Sequence, residues 1–414
     1  MSNPNIYLDR YAHPEQLISA QPKHDLGIIV TIPCYNEPDL ISSLEALHKC
    51  QLPACSTEVI VVINHSEKAE ETIKALNQHT YDQAIEWTNT INSDQLQFHI
   101  HLKELPHKHA GVGLARKIAM DEAIRRFEAV ENPEGVIVCF DADSLCEENY
   151  LVGIERHFQQ HPKSPGCSIH FEHPLLGNLN KEIYQAITEY ELFLRYYTHA
   201  QKYCGLPFAY ETIGSSMAVR SFAYQKQGGM NRRKAGEDFY FLHKIIALGY
   251  FTELKTTKVI PSPRQSDRVP FGTGKAVNKW LVEKSLFTYA PQTFIDLKVF
   301  TDQVAHLWLI KDAELESLLN SLPISIRSYL IDSNFESSLT SIQKNSASQA
   351  TFIDRFYHWF DAFKLLKYVH HARDQYQPNI PILEASQWLL NKSYGIEVTS
   401  EKSALLMFRE LDRN

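Results

Sequence analysis

Apolar residues in the first part of the chain come in short continuous runs. Gly27–Pro33, Glu58–Ile63 and Gly135–Phe140 are each of strand length and rich in Val and Ile. Runs of that kind read as strands covered on both faces. Gln97–Leu102 alternates instead, as a half-buried strand does. Between the runs the spacing becomes helical. Asp39–Cys50 sets Leu40, Leu44, Ala46 and Leu47 toward one side, Lys68–Leu76 returns to that period, and Val112–Phe127 turns Leu114, Ile118 and Ile124 inward. Strand and helix alternating across short connections predict an α/β fold with a mostly parallel sheet flanked by helices. Residues 1–25 read as an irregular arm ahead of it. In such sheets ligands bind beyond the carboxyl ends of the strands, so loops that follow strands gather at one edge.

From about 165 to 290 the pattern loosens. Cys167–Glu172 and Ile213–Val219 read as strands, and Leu179–Tyr203 as a long aromatic-rich helix. Gly236–Leu248 reads as a helix ended by Gly249. Lys258–Ile260 leads through Pro261-Ser262-Pro263 to a Gly-Thr-Gly loop at 272–274. Beyond Pro291 only one glycine follows, Gly395, and helical periodicity dominates at Leu315–Leu322, Phe352–Val369, Leu383–Leu390 and Ser403–Leu411. These textures predict an arm at 1–25, an α/β domain at 26–290 and an all-helical region at 291–414.

Composition narrows the partners. A 44% hydrophobic chain of 414 residues supports an ordinary core, and its net charge of −8 argues against general nucleic-acid binding. Seven cysteines without a C-x-x-C pair read as reduced thiols in a cytoplasmic protein. No stretch approaches about 18 apolar residues, so no membrane span is expected, although peripheral membrane contact is open. The N-terminus does not have the pattern of a signal peptide.

Candidate chemistry sits where strands end. Asp141-Ala142-Asp143 closes the Gly135–Phe140 run, and two carboxylates around one small residue suit a hard cation such as Mg²⁺ or Mn²⁺ held against a diphosphate. Pro33-Cys34-Tyr35-Asn36-Glu37 follows the first strand. Proline there should stop the strand, leaving a ring face and polar tips at the ligand edge. Asn64-His65-Ser66 follows the second strand, where Asn64 is either a base-edge partner or a helix cap. The stretch from His107 through Gly111, Gly113 and Arg116 runs from a basic loop into a helix, whose N-terminus favours anions and whose glycines allow close approach. Glu237 and Asp238 open another helix. They are either complements to its dipole or, for Asp238, a general base. Arg264 and Arg268 lie in a loop rich in Pro and Gly and present fork-shaped donors to phosphate. The 19 histidines are scattered without zinc-type spacing.

In this order the segments resemble the family-2 glycosyltransferases, over roughly residues 26–270. P-x-Y-N-E is met by Pro33, Tyr35, Asn36 and Glu37. G-x-x-x-A-R-N is met by Gly111, Ala115 and Arg116, with Lys117 in place of asparagine. D-x-D is met by Asp141 and Asp143, and the late E-D pair by Glu237 and Asp238. The chain departs from the family at Ile63-Asn64-His65-Ser66, where D-D-G-S is usual. It departs again at Gln265 to Val269, which keeps the Gln and Arg of Q-x-x-R-W but not the Trp.

The resemblance implies a GT-A, Rossmann-type nucleotide-sugar fold and a single inverting displacement. It implies a nucleoside-diphosphate sugar donor over Tyr35, Glu37 and Asn64. Asp143 would ligate Mn²⁺ or Mg²⁺, and Asp141 would hold the ribose or share the metal. Arg264 and Arg268 would face the leaving diphosphate. Asp238 would act as base with Glu237 positioning it, and Asp267 or water would complete the metal shell. The acceptor would be a glycan, a lipid-linked or a small hydroxyl compound, gripped by residues 172–212 and the C-terminal helices. Tyr196, Tyr197, Tyr203 and Phe208 would either stack on sugars or pack in a core. A nucleotidyltransferase and a non-catalytic nucleotide-sugar-binding scaffold are the alternatives.

Overall fold

The structure is a computed structural model that describes residues 5–266, 268 and 272–414. The chain divides into two compact units. The first holds residues up to Ile187, Thr212–Lys279 and Asp412–Asn414, and the second holds Thr188–Glu211 and Trp280–Leu411.

The first unit is built on eight strands: β1 (Leu26–Cys34), β2 (Ser56–Ser66), β3 (Leu96–Leu105), β4 (Val136–Cys139), β5 (Leu145–Cys146), β6 (Gly166–Phe171), β7 (Met217–Arg220) and β8 (Thr252–Ile260). Their order across the sheet is β3-β2-β1-β4-β7-β6-β8-β5. Strands β1 to β4 run parallel, β7 runs against β4 and β6, and β8 runs parallel to β6 and against β5. Hence β6 and β8 point the same way as β1, and only β5 and β7 oppose it. The carboxyl ends of β1, β2, β4 and β8 and the entry to β7 therefore share one edge. The continuous Val and Ile runs of β1, β2 and β4 are buried throughout, as the doubly covered centre of a parallel sheet requires.

Pro33 does not end β1. It stays in the ladder opposite Val62. Thr31 O accepts from Phe140 N on the β4 side, so Pro33, two residues on, turns its missing N–H to that side, past the last β4 residue.

The helices of this unit are α1 (Ile6–Arg10), α2 (Leu40–His48), α3 (Glu71–Ile91), α4 (Val112–Ala129), α5 (Tyr150–Gln160), the start of α6 (Lys181–Tyr203), α7 (Ser221–Lys226), α8 (Glu237–Ile246) and most of α9 (Thr273–Glu283). Helix α3 runs far past the expected Leu76. Its inner face is Asn77, Thr80, Ala84 and Thr88, a helical spacing that apolar residues alone do not reveal. Helix α5 was not expected, and the Gly-Thr-Gly stretch begins α9 instead of forming a loop.

Residues 5–20 are laced to α4 by charge. Fully buried Asp121 accepts from Tyr7 Oη (2.6 Å), Tyr224 Oη (2.7 Å) and His13 N (2.7 Å), and Lys117 Nζ lies 2.9 Å from it. Glu122 accepts from Leu17 N and Ile18 N, and Arg126 donates to Ala20 O. Desolvation of these groups is tolerated because each finds charge and hydrogen bonds together.

The second unit holds the rest of α6 and α9 and the helices α10 (Pro291–Thr301), α11 (Asp312–Ser321), α12 (Ile324–Asp332), α13 (Phe335–Lys344), α14 (Gln349–Trp359), α15 (Ala362–Gln375), α16 (Ile382–Tyr394) and nearly all of α17 (Glu401–Arg413). A short ladder joins β9 (Phe287–Thr288) and β10 (Ile380–Pro381). The expected helix Phe352–Val369 is broken in two. Asp361 caps α15 by accepting from Lys364 N at 2.9 Å. Phe300, Phe335, Phe356 and Phe360 pack together in the core. Tyr196 is core too, donating to Tyr289 O and packed edge-on against Phe294. Phe208 is buried, Tyr197 lies against Tyr289 and Phe294, and Tyr203 lies against Trp388. Among the described residues no helix is long and apolar enough to cross a membrane.

The α4 network yields a stability prediction. Asp121→Ala leaves Lys117 and two tyrosine hydroxyls buried without their acceptor and should cost about 3–5 kcal/mol, read in guanidinium unfolding. A midpoint close to that of the parent protein would contradict the network's role.

Candidate active site

Two charged clusters meet at the shared sheet edge, and Asp141-Ala142-Asp143 joins them. After β1 the chain turns through Asn36, whose φ of 52° is left-handed and suits asparagine. Its N–H donates to Asn77 Oδ1 at 2.9 Å. This turn carries Glu37 inward until it is fully buried. Glu37 Oε1 accepts from Asp39 N at 2.9 Å, and Oε2 meets Arg268 Nη1 at 2.8 Å and Arg264 Nη2. Both guanidinium groups also reach Asp143 Oδ2, each at 3.1 Å. Arg268 Nη1 further donates to Tyr35 O at 3.3 Å. The first cluster is thus Glu37 and Asp143 against Arg264 and Arg268. Burial, then the charge of Arg268, pulls Arg264 down to about 10.

The second cluster is centred on Arg116, in the second turn of α4 and 1% exposed. Nη1 donates to Glu237 Oε1 at 2.5 Å and Nη2 to Asp141 Oδ1 at 2.7 Å. Burial alone would lower this guanidinium, but the carboxylates of Glu237 and Asp141 outweigh it and hold it above its ordinary value. Asp238 begins α8 beside Glu237, and its Oδ1 accepts from Phe239 N at 2.8 Å. One guanidinium therefore faces three carboxylates. Burial and the neighbouring Asp238 push Glu237 up to about 7 even against Arg116. Burial raises Asp238 as well, and Asp141 adds to the effect. Protons on such a pair belong to both acids together. Asp143, pressed by burial and then by Asp141, is pushed up to about 6.

Other candidates are used differently from the sequence expectation. Asn64 is 2% exposed, and its Nδ2 donates to Cys34 O at 2.9 Å. It ties β1 to β2 instead of presenting a donor to a ligand. Gly111 and Gly113 do permit close approach, but by the chain itself. A Cβ on Gly113 would lie 2.2 Å from Arg233 O, and one on Gly111 would lie 3.2 Å from Lys234 Cα. The start of α4 is covered by the 231–234 loop. Asp267 and Val269 lie outside the described residues. Gly214 was missed by sequence reasoning. A Cβ there would stand 2.6 Å from Arg116 Nη1 and 3.0 Å from Asp238 Oδ2. No local motif announces it. Only its place before β7, which runs against β4, puts it at this edge.

Asp141 and Asp143 side chains are 39% and 26% exposed. Carboxylate oxygens are donors of the kind a hard divalent cation takes, and here Asp141 Oδ1 is held by Arg116 and Asp143 Oδ2 by Arg264 and Arg268. Among the described residues no group of three His, Cys, Asp or Glu forms a protein-only metal cage.

The chain matches no protein-family model and no curated protein. Among solved structures it is similar to S. aureus TarS 1–349, with 13% identity and a TM-score of 0.40 over 81% of this chain and 92% of that one. It is also similar to TarS 1–349 in complex with UDP-GlcNAc, with 12% identity and a TM-score of 0.40 over 94% and 90% of the two chains. The same protein in complex with UDP gives 12% identity and a TM-score of 0.40 over 81% and 92%. A likeness of that size decides nothing about activity.

Gly214→Ala should drive its methyl group into Arg116 and destabilise the protein by about 1–3 kcal/mol, read from the urea midpoint. An unshifted midpoint would contradict the close packing of this corner.

Proposed function

We propose that the first unit is a family-2-type glycosyltransferase that moves a sugar from a nucleoside-diphosphate donor to a hydroxyl acceptor with inversion. One observation carries the reading: the arginine pair holds Asp143, Arg116 holds both Asp141 and Glu237, and the short Asp141-Ala142-Asp143 segment joins the two clusters, with Asp238 next to Glu237. Two arginines that could take a diphosphate and a candidate base raised by burial thus lie at one sheet edge. An arrangement that only complemented a helix dipole would not need Arg116 to bridge the first turn of α8 and the loop after β4.

In this reading the base and ribose lie against Tyr35. Arg264 and Arg268 turn from their carboxylates to the diphosphate and stay near the charge that grows on it as it leaves. Asp143, with Asp141 beside it, would hold Mn²⁺ or Mg²⁺, whose positive charge would offset that of the diphosphate. Asp238 accepts the acceptor's hydroxyl proton as that oxygen bonds to the anomeric carbon and the bond to the diphosphate breaks. Glu237, fixed by Arg116, positions Asp238. Seven unpaired thiols accord with a reducing, cytoplasmic setting.

Donor binding and turnover separate the roles. In a thermal-shift screen of UDP-, GDP-, ADP- and dTDP-sugars with Mn²⁺, one class should raise the midpoint. Asp143→Ala should abolish that shift, and EDTA should weaken it. Asp238→Asn should bind the donor normally yet lose about 10³-fold or more in kcat for transfer or slow donor hydrolysis, at the upper part of the range for a positioned base. Near-normal turnover would remove Asp238 from the base role. Binding without any turnover in the parent protein would favour a scaffold.

The pH dependence has a definite sign. A base whose pKa is raised is protonated, and idle, at low pH. The rate should therefore fall as pH drops through the raised titration of the Glu237–Asp238 pair. A flat kcat profile from pH 5 to 8 would contradict it.

A further inference from the structure

All seven cysteines are unpaired, yet two of them face each other. Cys50 follows α2 and Cys146 closes β5, and their sulfurs are 3.7 Å apart although 96 positions separate them in sequence. The flanking segments are joined. Gln51 N donates to Glu148 O at 2.7 Å, and Cys50 Sγ lies 3.7 Å from Glu147 O. Cys50 is also the one cysteine whose thiol is lowered, first of all by its hydrogen bond with Cys146, and the same bond raises Cys146, whereas burial raises Cys34, Cys55, Cys139, Cys167 and Cys204.

We propose that Cys50 and Cys146 form a redox-modification site that closes to an intramolecular disulfide on meeting a low-molecular-weight disulfide such as oxidised glutathione. A disulfide needs sulfurs about 2.05 Å apart, so the gap closes by less than about 2 Å, within reach of side-chain torsions. The Cys50 thiolate, favoured by its hydrogen bond with Cys146, attacks one sulfur of the oxidant, releases one thiol and carries a mixed disulfide. Cys146, no longer beside a thiolate, then loses its proton and attacks Cys50 Sγ, releasing the second thiol. The protein loses two electrons and two protons, and the oxidant's sulfur–sulfur bond takes both. The new bond lies against the site described above. Cys146 is three residues past Asp143, Leu145 pairs with Ile260 at the end of β8, and Ser43 of α2 already donates to Ala142 O at 2.8 Å. Oxidation would thus fasten α2 to the strand that frames Asp143. The site stands whether or not the sugar-transfer reading holds.

The test uses the full chain in glutathione buffers of rising oxidised fraction, followed by acid quench, alkylation, intact mass and peptide mapping. The expected result is loss of two alkylatable thiols, one cross-linked peptide pair holding Cys50 and Cys146, reversal by reduced glutathione and a raised Tm. In Cys146→Ser the mixed disulfide should persist on Cys50. The proposal is overturned if all seven thiols stay alkylatable, if the cross-link joins other cysteines, or if it forms only after unfolding in guanidinium. The parent protein alone gives this answer even if a variant fails to fold.

Discussion

The buried guanidinium of Arg116 is the constraint around which the rest of the site is arranged. It lies in α4, yet its partners belong to the loop after β4 and to the first turn of α8. Removing water from an arginine is costly, and only close, well-aligned anions offset it. Arg116 therefore fixes how two distant stretches of sequence meet. The same helix explains the arm. Asp121, Glu122, Arg125 and Arg126 grip residues 7–20 from the far side of α4, so the helix that carries Arg116 is held on both flanks.

The arginine pair at 264 and 268 is organised by the opposite logic. There two cations depend on Glu37 and Asp143 to be held at the sheet edge. Each guanidinium is held by two carboxylates at once, and such charge-assisted bonds fix its place at the edge. Parallel strands deliver both clusters to one edge because β1, β4 and β8 all end there. The antiparallel strand β7 starts there and brings Gly214 between Arg116 and Asp238.

Much of this was legible in the sequence, for physical reasons. Doubly buried strands must be continuous and apolar, so β1, β2 and β4 declared themselves, and the loops after them had to lie at one edge. Asp141, Asp143, Arg116, Glu237 and Asp238 were singled out from spacing and family resemblance, and they do lie together. What failed were inferences from single residues. Pro33 reads as a strand stop unless one knows that β4 has already ended. Asn64 and the glycines at 111 and 113 read as ligand-facing, but identity alone does not say whether a polar tip or a bare backbone meets a ligand or the chain. Asn77, Thr80 and Thr88 hid the reach of α3 because small polar residues also form a buried face. Gly214 had no signal at all, since its importance comes from strand direction far from its own segment. The segment 188–211 packs with residues beyond 280, an association that chain order does not display.

The central claim is that one rim holds a diphosphate between Asp143 and the arginine pair with Asp238 across from it. A crystal structure of the protein with a nucleoside diphosphate and Mn²⁺ tests this most directly. The account predicts a manganese anomalous peak within coordination distance of Asp143, with phosphate oxygens on Arg264 and Arg268 and an open space facing Asp238. A well-ordered nucleotide bound elsewhere, with the Glu37–Asp143–Arg264–Arg268 cluster still closed on itself, would contradict it.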